Sequence, residues 1–297
     1  MITRPKHLPI SVMEHEKIKL APNETPEAAY KAWSAKVAAA PRICKAHHHT
    51  QLVLCVKGNE ILPVYDESWG YIEPMVKPGE FNFRATFMCP SCRIAYALFP
   101  PEFHETSFDT FDISTPERAY THAKARELVA QVNQHGRGFA VFVGSAGPGK
   151  TRLAANIVRE LEIHDTLYVR QGQLTLALRA TYGRRAVDYD DDGEQIEQKS
   201  PLEITQNVRF LVLDEVGCAQ LANDERLFFD ELLKHRYDHH KPTILISNLP
   251  LDQLREFLGD APTSRISLAS GKGRFIVQFK GGDFRSTMGG SYLEGNA

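Results

Sequence analysis

The feature that most constrains this sequence is the glycine-rich octapeptide GSAGPGKT at 144–151. It directly follows the apolar run FAVFV at 139–143, and a stretch with helical character follows it to about residue 162. Glycines leave backbone N–H groups unobstructed, and the N-terminal end of a helix attracts anions. A strand, a glycine-rich turn and a helix in this order therefore predict a loop that binds phosphate groups.

The residue types in this octapeptide predict ATP with Mg²⁺ as the bound group. Lys150 is expected to reach the terminal phosphates, and the hydroxyl of Thr151 is expected to bind the metal ion. The predicted phosphate contacts, including the backbone donors of the loop, are Gly144, Gly147, Pro148, Gly149, Lys150 and Thr151.

Two further apolar runs end in polar residues that suit hydrolysis. FLVL at 210–213 is followed by Asp214 and Glu215, and TILIS at 243–247 is followed by Asn248. We expect Asp214 to hold Mg²⁺ through its water shell and Glu215 to polarise the attacking water. Transfer of phosphate to another acceptor has less need of the second acid, so the pair favours hydrolysis. Asn248 is expected to position water, although a lone Asn at a strand end is also a common turn residue.

Strand and helix signals alternate along the whole C-terminal part. Strands are predicted at 139–143, 166–169, 210–213, 243–247 and 274–279, and helices at 116–134, 151–162, 174–182, 225–235 and 251–258. Continuously apolar strands that alternate with helices are typical of a parallel sheet covered on both faces. The predicted fold class is therefore α/β, a P-loop NTPase with a five-stranded parallel sheet in a domain at 101–297.

The region from about Phe108 to Arg285 resembles the AAA+ ATPases of the DnaC/IstB group, which are helicase loaders and transposition ATPases. The motifs that carry the resemblance are GSAGPGKT, FLVLDEVG, KHRY, PTILISN, LGDAPTSRI and GGDFR. The resemblance implies that Asn248 is a sensor residue and Arg265 an arginine finger for a neighbour's ATP, which requires self-association. It implies a second sensor role for Arg285. Only eighteen residues follow Phe279, so the helical lid of this fold is expected to be reduced or absent.

Residues 1–100 are predicted to form a separate, β-rich domain that binds a partner, with a boundary at Pro100-Pro101. Short β-like runs, such as QLVLCV and NFRATFM, lie between about 50 and 97. A C-x₂-H pair and a C-x₂-C pair predict a structural zinc site within 44–92. The proposed ligands are Cys44, His47, Cys89 and Cys92, with His48, His49 and Cys55 as rivals. Because the pairs are widely separated, buried thiols without metal are the alternative.

Composition and charge restrict the remaining function classes. The formal net charge is −2, so any contact with nucleic acid must come from a local patch or from repetition in an oligomer. No apolar run approaches the roughly 18 residues of a membrane span, and we expect a cytoplasmic protein. The first hypothesis is a loader that places a replicative helicase on single-stranded DNA. The alternatives are a transposition ATPase that assembles on duplex DNA and a non-catalytic ATP-dependent scaffold.

Four smaller features complete the sequence-based expectations. Phe108 and Phe111 could border the adenine or pack onto the core. The acidic run at 188–194 is expected to be a solvated loop. Cys218 is expected to be a packing residue, and Arg236 could cap the C-terminus of its own helix.

Overall fold

The computed structural model describes residues 12–19, 28, 32, 53–55, 80–88 and 90–280, the last range without 148, 162, 164, 183–186, 190–194, 198 and 199. The described elements divide into two units, with the border between Tyr96 and Ala97. Within these residues, no helix combines the length and the apolar character needed to cross a membrane.

The N-terminal unit contains an antiparallel sheet. Its strands are β1 (Val12–Lys19), β2 (Val53–Cys55) and β3 (Glu80–Met88), in the order β1-β3-β2. Strand β1 was not predicted, because half of its residues, VMEHEKIK, are charged and show no clear periodicity. The expectation of β-like structure up to residue 97 was wrong at its end, where helix α1 spans Pro90–Tyr96. Proline at the first position of a helix is favourable, since its missing N–H would have no partner there.

The C-terminal unit contains five strands in the order β10-β4-β9-β8-β5, with every neighbouring pair parallel. The strands are β4 (Phe139–Val143), β5 (Thr166–Arg170), β8 (Phe210–Asp214), β9 (Thr243–Ser247) and β10 (Ile276–Gln278). The helices are α2 (Pro116–His135), α3 (Lys150–Glu160), α4 (Gln171–Arg179), α5 (Pro201–Asn207), α6 (Asn223–Asp238), α7 (Leu251–Leu258) and α8 (Asp260–Ala269). The predicted five-stranded parallel sheet is confirmed.

Four elements of this unit were not predicted. Helices α5 and α8 lie in segments that had no helical assignment. The acidic run at 188–194 adjoins a short antiparallel pair, β6 (Val187–Tyr189) and β7 (Gln195–Glu197), so its first residues belong to a strand and not to a loop.

Side chains on the two faces of the sheet are buried, as the apolar strands predicted. On β4, Phe139, Val141 and Val143 join a core cluster that includes residues of α6, α7 and α8. Alternate strand residues point to opposite faces, so Phe142 lies on the other side, where its ring centroid is 5.3 Å from that of Phe279. Burial on both faces fixes the strands, and with them the polar residues at their carboxyl ends.

Arg236 is buried inside this unit with none of its surface exposed. Its guanidinium donates hydrogen bonds to the carbonyl oxygens of Thr205 (2.8 Å), Val208 (2.9 Å) and Pro242 (2.7 Å). These acceptors lie at the end of α5 and before β9, so the idea that Arg236 caps its own helix was wrong. It joins two neighbouring segments instead.

Candidate nucleotide-binding site

The loop at 144–149 connects β4 to α3, and two of its glycines have close neighbours and a left-handed backbone. Gly144 has φ 137°, and a Cβ there would lie 2.2 Å from the carbonyl oxygen of Phe279. Gly149 precedes the first turn of α3 with φ 96°, and a Cβ there would lie 3.3 Å from the ring of Phe111. Glycine is therefore needed at Gly144 to avoid a clash with the backbone, and at both positions it adopts the left-handed conformation without strain and leaves the loop backbone unobstructed, as a phosphate cradle requires.

Lys150 is 5% exposed and joins this loop to the end of β9. Its Nζ donates hydrogen bonds to the carbonyl oxygens of Gly144 (2.8 Å) and Ser145 (2.5 Å) and to Oδ1 of Asn248 (2.8 Å). These three acceptors are neutral oxygens, which hold the ammonium in position without cancelling its charge. A positive group held beside a glycine-rich loop fits an anionic phosphate.

Asp214 is the polar centre of the site and is 5% exposed. Its Oδ2 accepts hydrogen bonds from the hydroxyls of Thr151 (2.8 Å) and Tyr168 (3.0 Å). Its Oδ1 accepts from the backbone N–H of Glu215 (2.7 Å). A carboxylate and a hydroxyl in contact at the end of the phosphate loop are hard oxygen ligands of the kind that Mg²⁺ prefers. The residues present therefore fit the predicted metal ion.

Glu215 follows Asp214 in a constrained loop. Its backbone is in the left-handed region with φ 58°, where a side chain costs about 1 kcal/mol. The next residues are fixed by hydrogen bonds from Val216 N–H to Ile246 O (2.9 Å) and from Gly217 N–H to Gln171 Oε1 (2.7 Å). The side chain of Glu215 is 44% exposed, so water can reach its carboxylate. A carboxylate held in this way can accept a proton from water.

Tyr168 and Arg170 are site residues that the sequence analysis missed. Nε of Arg170 lies 3.9 Å from Oε1 of Glu215 and 3.3 Å from the hydroxyl oxygen of Tyr168, to which it donates. Burial, and then the charge of Asp214, raises the pKa of Tyr168, so its hydroxyl remains a donor at neutral pH. The hydrogen bond to Tyr168 raises the pKa of Arg170. Both acids at the end of β8 thus have a partner on β5.

The structure does not bring every predicted residue to this site. Arg265 lies on α8, half-buried, with no hydrogen bond or ion pair inside the described part of the chain. Pro148 and Arg285 lie outside the described residues. The roles of Arg265 and Arg285 therefore stay predictions.

The predicted zinc ligands also stay a prediction. Residues outside the described part are Cys44, His47, His48, His49 and Cys89. Cys55 and Cys92 lie in β2 and α1, but their side chains are not described. Among the side chains that are described, no group of three or more His, Cys, Asp or Glu residues is placed to hold a metal ion.

Two smaller expectations are decided by burial. Cys218 is exposed, so its assignment as a packing residue was wrong. Phe108 and Phe111 are buried and pack against the ring of His122, with centroid distances of 5.2 Å and 6.1 Å. Packing is therefore a role of both rings, and Phe111 also borders the phosphate loop at Gly149.

Comparisons with known proteins agree with this geometry. Residues 129–269 match the family model described as IstB-like ATP binding protein. The replicative helicase loader DnaC of Escherichia coli K12 is 24% identical over 192 residues, which are 64% of this chain and 73% of that protein. DnaC of Buchnera aphidicola subsp. Acyrthosiphon pisum is 22% identical over 166 residues, 55% of this chain and 64% of that protein.

The fold comparison gives the same result. A crystal structure of the DnaC helicase loader aligns with a TM-score of 0.50 and 22% identity, covering 61% of this chain and all of that chain. The resemblance inferred from the motifs is therefore confirmed: this chain is similar over the matched residues to the IstB-like ATP-binding family and to DnaC helicase loaders, and its ATPase unit has their fold.

Proposed function

We propose that this chain is an ATP-hydrolysing helicase loader of DNA replication. The observation that carries the proposal is that side-chain contacts join the carboxyl ends of three neighbouring strands, β4, β9 and β8. Lys150 contacts Asn248 after β9, and Thr151 contacts Asp214 at the end of β8. The similarity to replicative helicase loaders supports helicase loading as the role of the protein in this proposal.

In this proposal each polar residue of the site has one task. The backbone of the phosphate loop and Lys150 bind the phosphates, and Thr151 and Asp214 hold Mg²⁺. The metal ion supplies positive charge that neutralises the phosphate oxygens. Glu215 accepts a proton from the attacking water, while Asn248 orients that water. Arg170 positions the Glu215 carboxylate through their 3.9 Å contact.

The remaining parts of the proposal concern partners. Residues 1–100 form the domain that binds the replicative helicase, stabilised by zinc on Cys44, His47, Cys89 and Cys92. The ATPase domain at 101–297 binds single-stranded DNA and associates with copies of itself. Arg265 of one copy then completes the ATP site of the next, and Arg285 acts as a second sensor. The DnaC relatives support a helicase as the partner because their names describe helicase loading.

A transposition ATPase is the second candidate, because the matching family model is IstB-like. Such a protein would assemble on duplex DNA and activate a transposase. Its nucleotide chemistry would be the same, so the two candidates differ only in their partners.

Copurification with the replicative helicase of the same organism separates the two candidates. Affinity-tagged protein should retain the helicase, with a difference between samples with and without Mg-ATP. The matched control is Lys150→Ala, which should abolish the effect of ATP while keeping the N-terminal domain intact. Absence of helicase retention, together with filaments on duplex DNA, would establish the transposition candidate. Absence of phosphate release from ATP in the presence of helicase and DNA would contradict an ATPase of either kind.

A further inference from the structure

A cavity lies at the amino ends of the parallel strands, at the opposite end of the sheet from the nucleotide site. It has a volume of about 340 Å³ and borders the first residue of β4, Phe139. Phe139 pairs with Thr243, the first residue of β9. Each of these strands has five residues, and a strand rises about 3.3 Å per residue. Roughly 16 Å of sheet therefore separates this cavity from the phosphate loop, so a ligand here would not touch bound ATP.

Positive side chains and an imidazole ring from two connecting segments line this cavity. Arg137 comes from the connection between α2 and β4, and His240 and Lys241 come from the connection between α6 and β9. Within the described part of the chain, neither Arg137 nor Lys241 forms an ion pair with a carboxylate. Lys241 donates to the carbonyl oxygen of Asn207 at 3.1 Å. The charges are therefore not cancelled by a direct acidic partner.

The surroundings of the cavity add one positive group and two stacked histidine rings. The exposed Lys272 follows Gly271 of the lining, and the rings of His235 and His239 stack with centroids 4.0 Å apart. Burial, and then the charge of Arg236, lowers the pKa of Lys241.

Among the described residues, three acidic groups bear on these side chains. Asp165 raises the pKa of Lys241 and Glu231 raises that of His235, each as a weaker influence than the positive neighbours, and Asp238 is exposed at the end of α6. The cavity lining itself is positive through Arg137 and Lys241, while the whole chain has a formal net charge of −2.

We propose that this cavity binds the phosphate backbone of single-stranded nucleic acid. Arg137 and Lys241 supply the charges that phosphate groups require. The rings of Tyr237 and His240 line the same cavity, and nucleic-acid bases stack on such rings. The aromatic lining favours a nucleic acid over an acidic peptide, which needs only the charges. A volume near the lower end of the range of about 300–1,000 Å³ for ligand sites suits part of one strand. The inference rests on the proposed function, since a loader acts where strands are single.

Binding of a fluorescently labelled oligo-dT strand to the full chain, followed by anisotropy in the presence of Mg-ATP, tests this proposal. The first variant is the single substitution Arg137→Gln. The second is a double variant that combines Arg137→Glu with Lys241→Gln. Each lost phosphate contact should reduce the slope of log K against log salt by about 0.7, and the double variant should bind about tenfold more weakly. Basal ATP hydrolysis without DNA should be unchanged. The matched control is Arg255→Gln, which removes an exposed arginine that pairs with Asp252 on α7.

Three outcomes would overturn the proposal. The first is wild-type affinity and salt slope in the Arg137 and Lys241 variants. The second is an equal loss in Arg255→Gln, which would make the effect one of overall charge. The third is displacement of oligo-dT by polyglutamate as effective as that by unlabelled oligo-dT, which would assign the cavity to an acidic protein partner. Helicase retention is measured in a separate experiment. A negative result in the oligo-dT assay therefore contradicts the assignment of this cavity and not the loader proposal.

Discussion

Nζ of Lys150 donates a 2.8 Å hydrogen bond to Oδ1 of Asn248, a residue 98 positions later in the sequence. The contact connects the phosphate loop to the end of the neighbouring strand β9. Lys150 also keeps two carbonyl acceptors within its own loop, Gly144 and Ser145. Removing Asn248 therefore leaves the lysine anchored, which allows the two residues to be separated by mutation.

We expect Asn248→Ala to lower kcat for ATP by about 10²-fold, as is typical for the loss of one oriented polar group. ATP affinity should fall much less, because Lys150 keeps its position. Asn248→Asp should instead weaken ATP binding, since a carboxylate would pair with the ammonium. Steady-state hydrolysis and titration with a fluorescent ATP analogue measure the two effects. Equal kcat in wild type and Asn248→Ala would make Asn248 a turn residue.

Glu215→Gln should retain ATP binding and lose turnover by a factor of about 10² or more. The substitution keeps the shape of the side chain and leaves Asp214 to hold Mg²⁺, but it removes the group that accepts the proton. Lys150→Ala is the contrasting variant, because it should weaken ATP binding itself. Undiminished steady-state hydrolysis in Glu215→Gln would show that another group activates the water.

Arg236→Met should lower the free energy of unfolding by about 3 kcal/mol, because it leaves buried carbonyl oxygens at the end of α5 without donors. Burial lowers the pKa of Arg236 to about 9, so the guanidinium is charged at pH 7 and can make these hydrogen bonds. Urea unfolding should show a lower midpoint with an unchanged slope. The control is Arg209→Met, an exposed arginine just before β8, which should change stability by less than about 0.5 kcal/mol. Similar midpoints for the two variants would contradict the role of Arg236.

Mixing Arg265→Ala with Lys150→Ala should restore ATP hydrolysis if Arg265 acts on a neighbour. Each variant should be inactive alone, since an arginine finger contributes about 10³–10⁵ in rate where one is required. In the mixture, one type of interface combines an intact phosphate loop with an intact finger. Hydrolysis per chain should also rise with protein concentration. Normal hydrolysis by Arg265→Ala alone would exclude the role, and Arg285 would be tested next.

Purified protein should contain about one zinc ion per chain, and Cys89→Ser should lose it. Structural zinc contributes folding energy locally, so the loss should destabilise the N-terminal unit and leave the ATPase domain folded. Cys218→Ser is the matched control, because Cys218 is exposed in the other unit. Elemental analysis of protein prepared without chelators gives the answer. A metal-free preparation would leave the cysteines as ordinary thiols.

The strands were predictable because burial on both faces makes them continuously apolar. The bounds of β4 and β9 agree with the sequence prediction to the residue. Helix α5 has only seven residues, too few for a periodic pattern, although Ser200 and Glu203 form a capping box at its start. Helix α8 begins directly after Gly259 and contains Pro262, two residues that indicate a break in sequence.

The site was predictable where a motif carries it and unpredictable where strand order decides it. Lys150, Thr151 and Asp214 lie in sequence motifs that predict their roles, and the structure brings them together. Tyr168 and Arg170 contact the acids only because β5 lies beside β8, with Arg170 opposite Asp214 in the register. The order of strands in a parallel sheet cannot be deduced from their order along the chain, so nothing in the sequence marked these two residues.

Because the backbone of Glu215 is left-handed, the residue that would be most stable at this position differs from the residue that hydrolysis requires. Glycine and asparagine adopt this conformation with little strain, so a screen for folded, heat-resistant variants should repeatedly recover them there. Neither residue can take a proton from water. A glutamate that persists under selection at this position therefore indicates that the organism needs turnover more than it needs the last increment of stability.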